Sequence, residues 1–272
     1  MATIIHKKQD LTFLEWSHIR TSSGTAGSFL KSQSNINGKK KYYKLSNYDA
    51  TKGIVGHECI NEIIVDRLLS VLGVEHLSYE LINADIVIDG RTFNTYLCAS
   101  YDYKKRGESK VALDNYYDIN KQKGESPIDF CHRMGWGQYI DTMLAIDYII
   151  LNRDRHGANI EILRNSRAHT IRLAPLFDHG LSLMYSCLDD ASIQGFDILK
   201  DVPCNNYIGG KSCLENLDLI QDKCNVFLGK LSKKDKDIIF EGLEQIVSDT
   251  FISRTWEMII ERYTRYEALR NN

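Results

Sequence analysis

Hydrophobic positions along the chain follow two different periods, and the change falls near residue 102. Upstream, apolar and polar residues alternate in short runs, "KKYYKLS" (40–46) and "YELINADIVIDGRTFNTYLCAS" (79–100). The second run is broken by Asp89-Gly90, a hairpin signal because a two-residue turn needs positive φ and glycine adopts it freely. Between these runs, "HECINEIIVDRLLSVLGV" (57–74) spaces Ile60, Ile63, Ile64, Leu68, Leu69 and Leu72 along one helical face, and Gly73 is a stop signal. Downstream the strand signal weakens. Helical spacing dominates in "SPIDFCHRMGW" (126–136), "GQYIDTMLAIDYIIL" (137–151), "LENLDLIQDKCNVFL" (214–228), "KKDKDIIFEGLEQIV" (233–247) and "ISRTWEMIIERYTRYEALR" (252–270). The pattern predicts an α+β protein: a small β-rich N-lobe with one helix over 1–101 and a larger helical C-lobe over 102–272. A cleft between two such lobes is where a ligand is expected.

Composition narrows the function classes. With 272 residues, 43% of them hydrophobic, the chain can bury a large core. A formal net charge of −2, with no Lys/Arg tract longer than "KKK" at 39–41, gives no electrostatic footprint for nucleic acid or an acidic membrane. The seven cysteines, at 59, 98, 131, 187, 204, 213 and 224, are odd in number and form no CxxC pair. Together with a start that has no apolar signal region, they are expected to be free thiols in a reducing cytoplasm. No apolar run approaches the ~20 residues of a membrane span, so a soluble protein is expected.

The candidate chemistry lies directly after an apolar segment. "MLAIDYIIL" (143–151) runs into "LNRDRHGANI" (151–160), which packs an acid, a histidine, two asparagines, two arginines and a glycine into ten residues. In phosphoryl transfer on kinase-like scaffolds, an Asp orients or deprotonates the acceptor hydroxyl, and an Asn five residues on holds a magnesium ion. Asp154 and Asn159 have that separation, but so do Asp89/Asn94, Asp147/Asn152 and Asp201/Asn206. Context separates them. Asp154 alone follows a buried-type helix and precedes a short strand pattern, "IEIL" (160–163), so its loop is held at both ends.

A second acid is required, because Mg²⁺ takes one or two protein carboxylates and fills its shell with water and phosphate. "APLFDHGLSL" (174–183) supplies Asp178, which a hairpin of "IEIL" with "IRLAPLF" would bring beside Asn159; a surface turn closed by Asp and Gly is the alternative. "TSSGTAGSFLKS" (21–32) offers Ser23, Gly24, Thr25, Ala26, Gly27 and Ser28, whose backbone N–H groups suit phosphate oxygens, although it is neither a GxxxxGK[ST] nor a GxGxxG loop. Lys44 in "YYKLS" could reach α- and β-phosphates, with Glu58 or Glu62, four apart on one helix face, as its partner; a solvated lysine is the alternative. A zinc cluster of His156, His179 and Asp178 is the metalloenzyme alternative, and it lacks HExxH or CxxC spacing.

With these parts in view, "NRDRHGAN" (152–159) resembles the N-x-D-x-H-x-x-N catalytic loop of HipA-type serine/threonine kinases. The order of the other parts is similar too, from the Ser/Gly loop through the strand lysine and the helix with "NE" to the metal-binding Asp, over about Thr21 to Leu183. The resemblance implies a bilobal protein-kinase-like fold, ATP and Mg²⁺ as cofactors, Asp154 as catalytic base, Asn159 and Asp178 as Mg²⁺ ligands, and Lys44 as the phosphate-binding lysine. It implies that the backbone of "CASYDY" (98–103), with Ala99 and Tyr101, is the adenine hinge, and that His156 is structural. It further implies a protein substrate phosphorylated on serine or threonine, or self-phosphorylation at Ser22 or Ser23, and a small DNA-binding antitoxin-like regulator as partner. The family's toxin members carry an extra small N-terminal domain that 20 residues cannot supply, so the expectation is a compact kinase core. A silent nucleotide-binding pseudokinase or regulatory binding module, and a small-molecule or lipid kinase, are the alternatives.

Overall fold

A computed structural model of the chain describes residues 1–17, 29–220, 226 and 228–270. Its N-terminal region contains β1 (Thr3–Asp10), β2 (Lys31–Ile36), β3 (Lys39–Lys44), the short pair β4 (Tyr48–Asp49) and β5 (Gly53–Ile54), α1 (Glu58–Val71), β6 (Glu80–Ile88) and β7 (Arg91–Tyr101). Five of these strands form one sheet in the order β1-β6-β7-β3-β2. The β2–β3 turn, Asn37-Gly38, and the β6–β7 turn, Asp89-Gly90, have positive φ at both residues, the geometry whose twist matches the flanking strands. Edge strand β1 runs parallel to β6 and was not legible in the sequence, because its "TIIHKKQD" is only partly covered and alternates weakly.

Alternation sorts the strand side chains to two faces. Ile82, Ala84, Ile86, Ile88, Leu97 and Ala99 bury one face with Leu14, Leu30, Tyr43 and Leu45. Leu81 and Cys98 point the other way, into the main core shared with Ile63, Ile64, Leu68 and Leu69 of α1. The helix thus lies against one side of the sheet, and Gly73, at φ 70°, marks the turn that follows it.

The C-terminal region continues with β8 (Ser109–Ala112), α2 (Leu113–Asn120), α3 (Pro127–Arg133), α4 (Gly137–Ile150), β9 (Asp154–Arg155), β10 (Glu161–Asn165) and β11 (Thr170–Leu173). After these come α5 (Asp190–Gln194), β12 (Asn205–Asn206), α6 (Cys213–Asp218), α7 (Asp235–Phe240) and α8 (Asp249–Arg270). Helix α4 is apolar nearly all round because it is packed against α3, α6 and α8. Two expected helices are corrected. The helix expected at 214–228 is helical only at Cys213–Asp218, and 221–225 with 227 lie outside the described residues. The one expected at 233–247 is α7 followed by a 3₁₀ turn, Leu243–Gln245, with a break at Gly242, whose φ of 76° leaves the helical region. The β10–β11 hairpin forms as expected, and the short β8 joins it as a third strand. Among the described residues, no helix is long and apolar enough to cross a membrane.

Candidate active site

Helix α4 delivers the chain to the site through a left-handed residue, Leu151, at φ 55° and ψ 47°. A Cβ makes that conformation costly, by roughly 1–3 kcal/mol, so surrounding bonds must hold it. They do: Leu183 N–H donates to Ile150 O at 2.7 Å and Arg153 N–H to Leu181 O at 3.1 Å. Beneath the loop, Arg155 is fully buried and grips Asp147 through Nε at 3.0 Å and Nη2 at 2.8 Å. Asn152 Nδ2 donates to the same carboxylate at 2.9 Å. Asp147 and Asn152, one of the pairs that shared the five-residue spacing, are therefore a buried support. Burial opposes the charge of Arg155, yet Asp147 outweighs it and holds the guanidinium pKa above its usual value.

Arg155 also joins two stretches of chain that the sequence could not join. Its Nη1 donates to Asn159 O at 3.3 Å and to Phe177 O at 2.8 Å. The loop and the segment carrying Asp178 are thus fastened by one side chain, without a direct Asn159–Asp178 hydrogen bond among those of the described residues. Asn159 Nδ2 donates to Asp154 O at 2.9 Å, which commits its donor inward and leaves its Oδ1 as acceptor. His156 Nδ1 accepts from Ala158 N–H at 3.2 Å, capping the 3₁₀ turn Gly157–Asn159.

Asp154 itself is held by a residue the sequence did not single out. Asn205 Nδ2 donates to Asp154 Oδ1 at 3.0 Å, and β12 lies parallel to β9 so that Asn205 sits directly across from Asp154. Burial raises the Asp154 pKa above the ordinary aspartate value, with His156 and the Asn205 hydrogen bond acting the other way.

From β3 of the N-terminal sheet, Lys44 reaches between two acids. Its Nζ donates to Glu62 Oε1 at 3.0 Å and to Asp178 Oδ1, and Phe29 covers it with its ring centroid 4.8 Å away. Glu62, fully buried, also accepts His179 N–H at 2.9 Å. Glu58, the other candidate partner, instead accepts Asn47 N–H at 3.2 Å. Next to Glu62, Asn61 Nδ2 donates to Gly180 O and Ser182 O, both at 3.0 Å. A Cβ on Gly180 would stand 3.2 Å from Glu58 Cβ and 3.4 Å from Glu62 Oε1, so a glycine lets the segment come this close to α1. Asp178 takes φ 61°, a strained position for a non-glycine residue, and its N–H donates to Tyr79 Oη at 3.2 Å.

The electrostatics of this cluster are lopsided. Burial works against the Lys44 charge, but Asp178 and Glu62 outweigh it and hold its pKa well above the lysine value. Burial also pushes against ionised Asp178, but Lys44, Lys31 and Arg155 keep it well below the usual carboxylate range. Glu62 is pushed up by burial, which Lys44 only partly offsets. His179 is driven well below the histidine value by burial and by Arg155, so it is neutral.

The remaining expected residues fall as follows. Ala99 is buried within β7, paired with Tyr43 and Glu80, whereas Tyr101 ends the strand beyond the last β6 pairing and is exposed. Within 98–103, only the part after Ala99 leaves the sheet on its β6 side. Ser23, Gly24, Thr25, Ala26, Gly27 and Ser28, with Ser22, lie outside the described residues. A cation fits the donor set of Asp178 and Asn159: one ionised carboxylate and one amide oxygen are the incomplete oxygen shell that Mg²⁺ completes with water and phosphate. Among the described residues no three His, Cys, Asp or Glu side chains converge as a metal-holding group, so the drawn cluster of His156, His179 and Asp178 is not assembled.

No protein-family model matches the sequence, and no curated protein matches it. Solved structures do match. The crystal structure of the Helicobacter pylori proinflammatory kinase CtkA superposes with a TM-score of 0.61 at 17% identity, covering 97% of each chain. The chain has the HipA-like kinase fold. The Shewanella oneidensis MR-1 HipA, solved with HipB and operator DNA, matches with a TM-score of 0.50 at 15% identity, over 94% of this chain and 68% of that one. In HipA-like terms the sheet with α1 is the N-terminal region and α2 to α8 build the helical one, joined through the Lys44–Asp178 ion pair. The bilobal α+β architecture expected from the patterning is the one observed.

Proposed function

We propose that this HipA-like kinase is an ATP- and Mg²⁺-dependent phosphotransferase acting on serine or threonine of a protein, itself included. The observation that carries the reading is Lys44 bridging Glu62 of α1 and Asp178 of the C-terminal region. An ammonium fixed by one buried acid, facing a second acid that remains ionised, suits binding of phosphate oxygens and a divalent cation together. Lys44 would bind the α- and β-phosphates, and Glu62 holds it in place. Asp178 and Asn159 would hold Mg²⁺, and the backbone of 23–28 and of the segment after Ala99, at Tyr101, would meet phosphate and adenine. ATP, when bound, would supply the transferable phosphoryl group, and Mg²⁺ held by Asp178 and Asn159 would neutralise the charge developing on it.

Asp154 acts on the acceptor. Its Oδ1 is steadied by Asn205, so its other oxygen is the one to take a hydrogen bond from the acceptor hydroxyl and receive the proton as transfer proceeds. Arg155 keeps the Asp154 loop and the Asp178 segment in register from below, through backbone carbonyls, without touching the reacting atoms. A small DNA-binding regulator is a fitting partner, since the Shewanella HipA is found with HipB and operator DNA.

Incubating the purified chain with labelled ATP and Mg²⁺, alone and with cell extract, tests this. Label on serine or threonine of the chain or of an extract protein supports the reading; label only on a small molecule or lipid moves the acceptor class. No Mg²⁺-dependent transfer, despite ATP binding, would make it a silent nucleotide-binding module.

A further inference from the structure

Behind the Asp154 segment lie two thiols that the phosphotransfer reading does not use. Cys204 is half-buried and Cys213 buried, and their side chains are in hydrogen-bond contact. They flank the antiparallel bridge between Pro203 and Ser212, and Cys204 N–H donates to Lys211 O at 2.8 Å. Two donors face the Cys204 sulfur: the Cys213 thiol and Asn216 Nδ2 at 3.2 Å. The Cys213 hydrogen bond outweighs burial and lowers the Cys204 pKa, while that same bond, with burial, keeps Cys213 protonated. A half-buried thiol made more acidic by its neighbours, beside a buried one made less acidic, is the arrangement of an attacking and a resolving cysteine.

Their position gives the pair leverage. Cys213 Sγ lies 3.4 Å from the Asn152 carbonyl, at the start of the Asp154 loop, so its one S–H is shared between that oxygen and the Cys204 sulfur. The residue after Cys204 is Asn205, whose N–H donates to Arg153 O at 2.8 Å while Tyr207 N–H donates to Arg155 O at 2.9 Å, the two bonds that seat β12 beside β9. We propose that Cys204 and Cys213 are a peroxide-oxidised dithiol site, and that closing their disulfide shifts β12 and draws Asn205 away from Asp154.

The chemistry balances with hydrogen peroxide as oxidant. The Cys204 thiolate attacks one peroxide oxygen, an S–O bond forms as the O–O bond breaks, and the departing hydroxide takes a proton to become water. The Cys213 sulfur then attacks the sulfenic sulfur, an S–S bond forms, and the S–O bond breaks. The leaving hydroxide takes the Cys213 proton, so two thiols and one peroxide give one disulfide and two waters. A disulfide is ~2.05 Å long, shorter than any hydrogen-bonded contact between sulfurs, so closure must pull the 203–206 segment and the start of α6 together. It also removes the Cys213 hydrogen bond to Asn152 O. Cys59 and Cys98 are a contrast: they touch each other too, but both are about 1% exposed.

The effect on phosphoryl transfer rests on the reading of Asp154 as base; the disulfide and the strand shift do not. The test treats the full chain with stoichiometric peroxide, caps free thiols and maps tryptic peptides, which cleavage after Lys211 makes informative by separating the two cysteines. The expected product is a Cys204–Cys213 cross-linked peptide pair, reversed by dithiothreitol, with Cys59 and Cys98 capped only after unfolding. Hydrogen exchange should then show the Asn205 and Tyr207 amides about ten-fold faster or more in the oxidised form, and unchanged in peroxide-treated Cys204→Ser. Where the reduced protein transfers phosphate, oxidation should slow it about ten-fold, and Cys204→Ser should keep the rate under peroxide. A cross-link elsewhere, none at all, or one that leaves those two amides unchanged overturns the proposal. Absence of transfer by the reduced protein overturns the kinase reading and leaves the mapping and exchange results to decide this one.

Discussion

Two charge clusters hold the Asp178 segment, one from the Asp154 loop and one from the N-terminal sheet, and they are built on opposite principles. Around Arg155, one cation meets one carboxylate in a two-point pair, and the spare donor reaches backbone carbonyls; Asn152 adds a further donor to Asp147. Each charge there is balanced and solvent is excluded. Around Lys44, one cation is shared by two acids, Glu62 and Asp178, so the cluster carries an excess negative charge. The first arrangement is complete and therefore serves as scaffold. The second has attraction left over for a cation, which is what the proposed Mg²⁺ site requires.

The strongest way to break this contrast is to remove Arg155. Arg155→Met leaves Asp147 buried without its partner, and such a loss costs about 3–5 kcal/mol. Chemical denaturation should show the drop, whereas Lys44→Met should lose most transfer and cost less stability than Arg155→Met, because Asp178 is 28% exposed and Glu62, already pushed up by burial, can take a proton when its partner is gone. If Lys44→Met unfolded the protein as readily as Arg155→Met, the division into scaffold and binding cluster would be wrong.

Next in size is Asp154→Asn. Phosphoryl transfer should fall by about 10²–10⁴-fold with the melting temperature and ATP affinity kept, which single-turnover kinetics and calorimetry would separate. A normal transfer rate in this variant removes Asp154 from the reaction. Asp178→Asn should be milder and act on binding: about 10- to 100-fold weaker Mg·ATP affinity, with the Mg²⁺-dependent part lost and metal-independent nucleotide binding retained. Calorimetry with and without Mg²⁺ reads this directly.

The smallest expected effect concerns pH. The folded pKa of Asp154 is raised above the aspartate value, so the base is protonated and idle below it and ionised above it. Transfer should therefore fall as pH drops through a value above that of an ordinary aspartate. Asn205→Ala removes a donor that favours the ionised form, so the acid limb should move further up, with a plateau rate within about ten-fold of the parent. A limb that stays put would mean that Asn205 supports only the strand.

Sequence reading found elements where one residue pattern decided the outcome, and it misjudged those decided by distant partners. The α1 face, the two Gly-containing features at 73 and 90, and helices α3, α4 and α8 follow from local spacing. Over 233–247 the apolar spacing continues past Gly242, and only the backbone conformation shows the break there. The acids in the cleft were legible as candidates, but Asp147 and Asn152 shared the same five-residue separation as Asp154 and Asn159. Burial separates them: Asp147 is 2% exposed and spent on Arg155. Asn205 carried no signal at all, since its partner lies 51 positions earlier.

By itself, the sequence determined the α+β order of elements, the hairpin turns, and the short list of candidate polar groups, because these depend on periodicity, φ preferences and side-chain type within a few residues. Only the tertiary structure decided that Glu62 rather than Glu58 pairs with Lys44, that Arg155 fastens the Asp154 loop to the Asp178 segment, and that Asn205 steadies Asp154. The reason is physical. Glu58 and Glu62 present equal charge on one helix face, and the choice between them is made by the distance of each to an ammonium on another strand and by backbone N–H groups, Asn47 for one and His179 for the other, that folding brings to them.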